Sequence, residues 1–460
     1  MGYRTETFTA PSPFARNSAG IVRCRGQITC AATSRDAAHR DRRTAIRTNT
    51  TCFNGGYRTM RSTRTPISPN RRRRTALAAT GLLAALALTA TACNGSDDDS
   101  ASDKPDTASR SSGTGDGKLH IPADIASKLK DHGIDVDEWA KGGWKDWDKD
   151  KWLSAAKDFV NPVIDGLWKP ERMKSAKEAN KTVSTKDAAA DQGVSDPVPA
   201  PVEATAEKTP YHENAAPVGK VFFDSPEGSM VCSGTVVKDV NHPGKSNLVW
   251  TAGHCVHAGS GGGWYRNIAF VPAYNDLGES ASQLSNANAS EIAPYGNWWA
   301  DWASTSSQWI QGGSETGGAG AAYDFAVLHV KPEQGAKSLE ETVGAALDVD
   351  FSAPSPPQVS EMGAWGYPAA PPYDGLQMFK CLDKPGRLSL DPSLPTMYRI
   401  GCTMTGGSSG GGWFRVVDGR TKLVSNTSIG PSDNTWLAGP QLGRTAETLY
   451  ENMSKTYGGR

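Results

Sequence analysis

Thr251-Ala252-Gly253-His254-Cys255 is the stretch on which the reading of this 460-residue chain turns, with Gly407-Ser408-Ser409-Gly410-Gly411 as its distant counterpart. A serine hydroxyl is a poor nucleophile near neutral pH, so a neutral imidazole must take its proton during attack and later return it to the leaving group. His254 and Ser409 supply the residue types for those two roles. Glycines around the serine let the backbone turn tightly, so that the N–H groups of Gly407 and Ser409 can point at a developing oxyanion. The imidazole also needs a buried carboxylate to hold its tautomer and stabilise the imidazolium. Asp324, in Ala321-Ala322-Tyr323-Asp324-Phe325-Ala326-Val327-Leu328, heads an apolar strand-like run between the other two and is the candidate; Asp301, Asp276 and Asp348 are the fallbacks.

Chain order separates two hydrolase classes. A Gly-x-Ser-x-Gly loop also fits a nucleophile elbow, but that triad runs serine, acid, histidine and needs a histidine after the serine. The eight histidines are His39, His120, His132, His212, His242, His254, His257 and His329, and none follows Ser409. The order His254, Asp324, Ser409 is the one that remains. Thr251–Cys255 resembles the histidine box of the chymotrypsin/trypsin-like serine peptidases, Gly407–Gly411 resembles their nucleophile loop, and the run from Asp324 resembles their Asp-aromatic-Ala-aliphatic-Leu segment.

That resemblance implies an all-β fold of two antiparallel six-stranded barrels with a C-terminal helix, His254 and Asp324 coming from the first barrel and Ser409 from the second. It implies disulfides Cys232–Cys255 and Cys381–Cys402. By the family pattern Thr403 and the stretch 424–429 line the primary pocket; with no acidic residue at Thr403, a small or apolar side chain is favoured over Arg or Lys. The chain itself supports an all-β unit over 215–460. Val218–Phe223, Met230–Val237, Leu248–Thr251, Ile268–Val271, Asp324–Val330, Gly363–Gly366, Met397–Cys402, Gly412–Val417 and Lys422–Ser425 are short, β-branched or aromatic, and separated by turn residues. Arg444 to Tyr457 reads as a helix with Leu449 and Met453 on one face, and there is no internal repeat. Ala281 to Gly320, with Asn297-Trp298-Trp299-Ala300-Asp301-Trp302, reads as an inserted surface loop bordering the cleft or packing on the barrel.

Upstream, Arg71 to Arg74 and the apolar stretch Thr75 to Ala92 form an export signal too short and too soon followed by Asp97-Asp98-Asp99 for a stable span. Ala90-Thr91-Ala92-Cys93 resembles a degenerate bacterial lipobox, which makes Cys93 a possible lipidation site; plain secretion is the competing reading. The expected organisation is 1–59 an over-extended or disordered start, 60–92 the signal peptide and 93–117 a flexible tether. An accessory or pro-region, helical and tryptophan-rich, follows at 118–185, then an Ala/Pro-rich linker at 186–214 and the peptidase domain at 215–460. Residues 1–92 hold 16 Lys+Arg and 3 Asp+Glu, so the remainder carries 49 − 16 = 33 basic against 49 − 3 = 46 acidic residues, a net of 33 − 46 = −13. An acidic product without a basic stripe argues against nucleic acid as a partner.

The expected activity is therefore that of an exported serine endopeptidase, acting on protein or peptide through an acyl-enzyme, as a monomer. It needs no cofactor and no metal cluster is visible. Membrane anchoring by lipid on Cys93 and cell-wall contact by the tryptophan-rich region are the further partner expectations. A catalytically silent homologue serving as a surface binding or adhesion protein is the alternative.

Overall fold

The computed structural model describes residues 119–120, 161, 163–164, 166–179, 181–184 and 194–459. The expected signal, the lipobox cysteine, the tether and the tryptophans of residues 139–152 lie outside the described residues. Six strands form the first barrel: β1 (Val218–Ser225), β2 (Gly228–Val237), β3 (Leu248–Thr251), β4 (Arg266–Pro272), β5 (Trp298–Thr305) and β6 (Ala326–Pro332). They pair antiparallel in the order β2-β1-β4-β5-β6-β3, and β3 returns to β2 to close the sheet.

Side-chain alternation explains the closure. Val221 and Phe223, Cys232 and Val236, Val249, Ile268 and Phe270, and Ala326, Leu328 and Val330 share the barrel interior. Their neighbours Val218, Phe222, Val231, Trp250, Ala269, Val271 and Val327 belong to a second apolar layer outside it. Both faces are thus buried, which is why these strands read as near-continuous apolar runs. On β5 the pairing with β6 slips between Ala300 and Trp302, so Ala300 and Ala303 both face inward although three positions apart.

The second barrel also uses six strands: β7 (Met362–Gly366), β8 (Phe379–Asp383), β9 (Met397–Gly401), β10 (Gly412–Val417), β11 (Arg420–Asn426) and β12 (Trp436–Pro440). Their hydrogen bonding divides into one sheet that includes the run β11-β10-β7-β8 and another in which β9 pairs with β12 on one side and with the short strand Gly386–Leu388 on the other. Ala364, Cys381, Tyr398, Ile400, Trp413, Val424 and Leu437 from both sheets meet in one interior. The C-terminal helix spans Arg444–Tyr457 and buries Ala446, Leu449, Tyr450 and Met453, an i, i+3, i+4, i+7 stripe. That stripe lies in the same apolar layer as Trp250, Phe325, Phe414 and Leu423, which joins the two barrels.

Two expectations are corrected. The segment read as an inserted surface loop contains β5, whose Trp298 and Trp299 are fully buried, one inside the barrel and one in the layer outside. Its Asn/Ser/Gly-rich flanks concealed the strand. The described part of the expected linker, 194–214, is packed on the second barrel: Thr205–Ala206 pairs with Phe379–Lys380, Asp196 binds Arg387, and the buried Glu207 accepts from Trp365 Nε1. Proline removes backbone donors but not side-chain anchors, so a Pro-rich composition did not prevent docking.

The described residues of the expected accessory region also lie on the first barrel. Asn161 donates to the carbonyls of Ile268 and Ala300 at 2.9 and 2.7 Å and accepts from Ile268 N–H at 2.8 Å, bridging β4 and β5. Trp168 is buried, donates to Asn267 O at 2.7 Å and packs on Phe222. The helix described there is Pro170–Ser175, followed by the short strands Lys177–Glu178 and Thr182–Val183.

Candidate active site

His254 stands in the single-turn helix Gly253–Cys255 that follows β3. Glycine is required at 253 by close approach: a Cβ there would lie 2.6 Å from Thr305 Oγ1 and 2.9 Å from Asp324 Oδ1. Asp324 ends the turn Ala321–Tyr323 just before β6, and β6 pairs with β3. Barrel register therefore brings the histidine and the aspartate together. His254 N–H donates to Asp324 Oδ1 at 2.8 Å, and Nδ1 lies 2.7 Å from Oδ2. Both side chains are completely buried.

The second barrel completes the carboxylate's surroundings. Ser428 Oγ donates to Asp324 Oδ2 at 2.6 Å; Asn426 Nδ2 donates to the Asp324 main-chain carbonyl at 2.9 Å, and Asn426 Oδ1 accepts from Trp250 Nε1 at 3.0 Å. With three donors on its oxygens, the carboxylate is held as an acceptor, which makes Nδ1 the proton-bearing nitrogen of His254 and Nε2 the basic one. Nε2 has no hydrogen-bond partner among the described residues.

Ser409 lies on the loop between β9 and β10 and is 4% exposed. Its carbonyl accepts from Ser233 N–H at 2.7 Å, and the Ser233 hydroxyl donates to Gly407 O at 2.9 Å, so β2 fixes the loop from the first barrel. Gly407 has φ +94° and Gly410 φ +75°. A Cβ at Gly410 would come within 2.2 Å of Thr251 Oγ1 and 2.9 Å of Ala252 N, which places the serine loop directly against the histidine box. The Gly407 and Ser409 N–H groups make no hydrogen bond to a described residue. Ser409 Oγ donates to the carbonyl of Ala179 at 3.3 Å, with no hydrogen bond to His254.

The fallback aspartates are engaged elsewhere: Asp301 with His329 and Lys331, Asp276 with His212, Asp348 with Lys238. The pocket beside Ser409 is lined by Met404, Thr405, Thr427, Ser428, Ile429 and Leu437, among others. Thr403 is turned away from it; its hydroxyl accepts from Ala204 N–H at 2.9 Å. Of the stretch 424–429, Val424 belongs to the barrel interior while Thr427, Ser428 and Ile429 reach the pocket. Sequence reasoning missed the contacts of Ser428 and Asn426 with Asp324, and it missed Trp309. That indole is buried 6.0 Å from the His254 ring and donates to His257 O at 2.9 Å. A larger cleft of about 540 Å³ adjoins, with Glu227, Tyr265 and Glu315 in its walls.

Cys232 is bonded to Cys255, tying β2 to the turn that carries His254, and Cys381 is bonded to Cys402, tying β8 to the start of the serine loop. Cys232, Cys255 and His254 are the trio close enough to share a metal among the described residues. Both sulfurs are committed to the disulfide, so the trio offers no thiolate ligands.

No protein-family model and no curated protein matches the chain. Among solved structures it is similar to a thermostable serine protease from an extremophilic microorganism, with 32% identity over 53% of this chain and 98% of that one and a TM-score of 0.43. It is also similar to the protease Anisep from Arthrobacter nicotinovorans, with 30% identity over 55% and 99% of the two chains and a TM-score of 0.43. A Glu endopeptidase structure aligns over 56% and 99% with 15% identity and a TM-score of 0.40. Carrying 32% identity across nearly the whole length of a serine protease and 30% across that of a second protease, on a sheet that closes into a six-stranded antiparallel barrel, the chain belongs to the chymotrypsin/trypsin-like serine peptidase family.

Proposed function

We propose that the protein is a serine endopeptidase that hydrolyses peptide bonds through an acyl-enzyme, with Ser409 as nucleophile, His254 as general base and then acid, and Asp324 as the orienting carboxylate. One observation carries this reading: the buried Asp324 carboxylate receives both the backbone and the ring of His254 and is closed by Ser428. Such a carboxylate fixes the base-competent tautomer and stabilises the imidazolium formed when the serine proton arrives. Attack of Ser409 Oγ on a substrate carbonyl would transfer that proton to His254 Nε2 and place negative charge on the carbonyl oxygen. The N–H groups of Gly407 and Ser409 then serve as its donors, each such donor being worth roughly 100- to 1000-fold in rate. Collapse returns the proton to the leaving amine, and water repeats the sequence on the ester.

Met404, Ile429 and Leu437 in the pocket beside Ser409, with no carboxylate among its described lining residues, favour a small or apolar side chain at the cleaved position. Two disulfides suit an oxidising compartment and support export; lipid attachment at Cys93 is the proposed anchor. The test is reaction of the chain and its Ser409→Ala variant with a fluorophosphonate, read by intact mass and peptide mapping, alongside cleavage of a mixed peptide library. Phosphonylation confined to Ser409, with cleavage lost in the variant, is expected. Labelling that survives Ser409→Ala would overturn the assignment.

A further inference from the structure

We propose that Lys177–Ala179 and Lys181–Ser184 act as an internal strap that occupies the cleft and holds Ser409 out of reaction until it is displaced. The inference rests on the reading of Ser409 as nucleophile. The strap is pinned on both sides of that serine. On the first barrel, Lys177–Glu178 pairs in parallel with Met230–Val231, and Ala179 N–H donates to Val231 O at 3.2 Å. On the second, Thr182–Val183 pairs in parallel with Gly430–Pro431, and Gly430 N–H donates to Lys181 O at 3.3 Å. It therefore crosses the seam between barrels at the point where a substrate must enter.

What it does to the serine follows from the hydrogen bond at that point. Ser409 Oγ donates a hydrogen bond to the Ala179 carbonyl oxygen, so the hydroxyl is directed at the strap rather than at an imidazole acceptor. A carbonyl poised for attack would present its carbon to Oγ and its oxygen to the backbone donors; here the oxygen itself meets Oγ, the geometry of an occupant and not of a reacting bond. Side chains hold the strap as well. Val183 is 1% exposed, packed with Ile429, Trp436 and Ala438. Lys181 lines both the pocket beside Ser409 and the adjoining cleft, where Glu227 and Glu315 stand. Burial lowers its pKa, and Asp324, Glu315 and Glu227 oppose that shift. Upstream, Arg172 bound to Asp224 at 2.8 Å and the buried Trp168 secure the chain that leads into the strap.

The experiment compares fluorophosphonate labelling rates of the full chain, its intact mass confirmed, with two variants. Lys181→Glu sets a carboxylate against Glu227, Glu315 and Asp324. Ala179→Pro with Val183→Asp removes the donor to Val231 and puts a charge into an apolar contact. A docked state outnumbering the released one by about ten to one predicts labelling roughly tenfold faster in each variant. A synthetic peptide of residues 176–184 added to either variant should slow labelling again. Wild type labelled at Ser409 as fast as both folded variants would overturn the strap and leave the peptidase reading standing. No labelling in any of the three, each shown folded by its melt, would overturn the nucleophile assignment and the strap with it.

Discussion

Replacing Asp324 with asparagine tests the site most sharply, because the consequence can be worked from its three bonds. The carboxylate accepts from His254 N–H, His254 Nδ1–H and Ser428 Oγ. An amide offers one acceptor oxygen and one donor NH2. With the oxygen at the Oδ2 position, the NH2 opposes the His254 backbone N–H, and a buried donor left unpaired costs about 1–3 kcal/mol. With the oxygen at Oδ1, that N–H is satisfied and Ser428 rotates to accept, but the NH2 must donate to Nδ1. The second arrangement wins, and it moves the imidazole proton to Nε2. The base is then occupied by a proton, and the negative charge that would stabilise the imidazolium is gone. Together these effects predict a loss of about 10⁴-fold in acylation with the fold retained. Fluorophosphonate labelling, measured in the Lys181→Glu background so that the strap does not limit the rate, reads the loss directly. Asp301→Asn is the control, since its partner His329 lies away from the serine loop, and its labelling rate should equal the parent's. A loss below tenfold in a folded Asp324→Asn protein would refute the reasoning and leave Asp324 a structural anchor.

Gly407→Ala forces an L-residue into φ +94° with a Cβ 2.7 Å from both Tyr367 O and Ala369 Cβ; displacement of the Gly407 N–H predicts roughly 100- to 1000-fold slower peptide hydrolysis, with labelling and melting separating this from unfolding. Joint replacement of Cys232 and Cys255 by alanine opens a loop of sequence separation 23, and denaturant titration should show a loss of about 3 kcal/mol by the chain-entropy argument. His257 accepts from Gly259 N–H through Nδ1, and burial lowers its pKa to about 4. Below the ordinary value of about 6.5 the unfolded chain takes up a proton that the native one refuses, so this residue costs stability as pH falls from about 6.5 to 4, by up to about 3 kcal/mol. Denaturation of wild type and His257→Gln at pH 7 and pH 4.5 should show a smaller decline in the variant; equal declines would assign the acid sensitivity elsewhere.

The legible parts of the sequence were those in which chemistry and local pattern coincide. His254, Ser409 and Asp324 each sit in a short motif, and most barrel strands announce themselves because both faces are apolar. The helix near Arg444 to Tyr457 was readable from Leu449 and Met453 on one face. Long-range contacts were not legible. Strand β5 alternates with a bulge at Ala300/Trp302, which destroys the period on which a strand reading depends. Ser428 carries no motif; only the return of β11 to the seam brings it to Asp324. The docking of residues 194–214 depends on Asp196 and Glu207 meeting Arg387 and Trp365, partners more than 150 positions away, and no local composition encodes such a pairing.

The pairs His254–Asp324 and His329–Asp301 show why residue type alone does not make a site. His329 Nδ1 lies 2.5 Å from Asp301, and its Nε2, like that of His254, is buried without a hydrogen-bond partner among the described residues. Yet Asp301 shares its carboxylate with Lys331 at 2.9 Å, and the C-terminal helix closes over the pair through Tyr457, stacked on Trp302. That histidine faces packing. Asp324 is instead bound by a serine and an asparagine of the second barrel, and the histidine it orients abuts a glycine-lined loop from that same barrel. The difference is topological: Asp301 and His329 sit on neighbouring strands of one barrel, whereas His254 and Asp324 sit at the barrel's end, against the seam. A strap laid across that seam can touch both barrels at once, and the carbonyl of Ala179 meets the hydroxyl of Ser409, the proposed nucleophile.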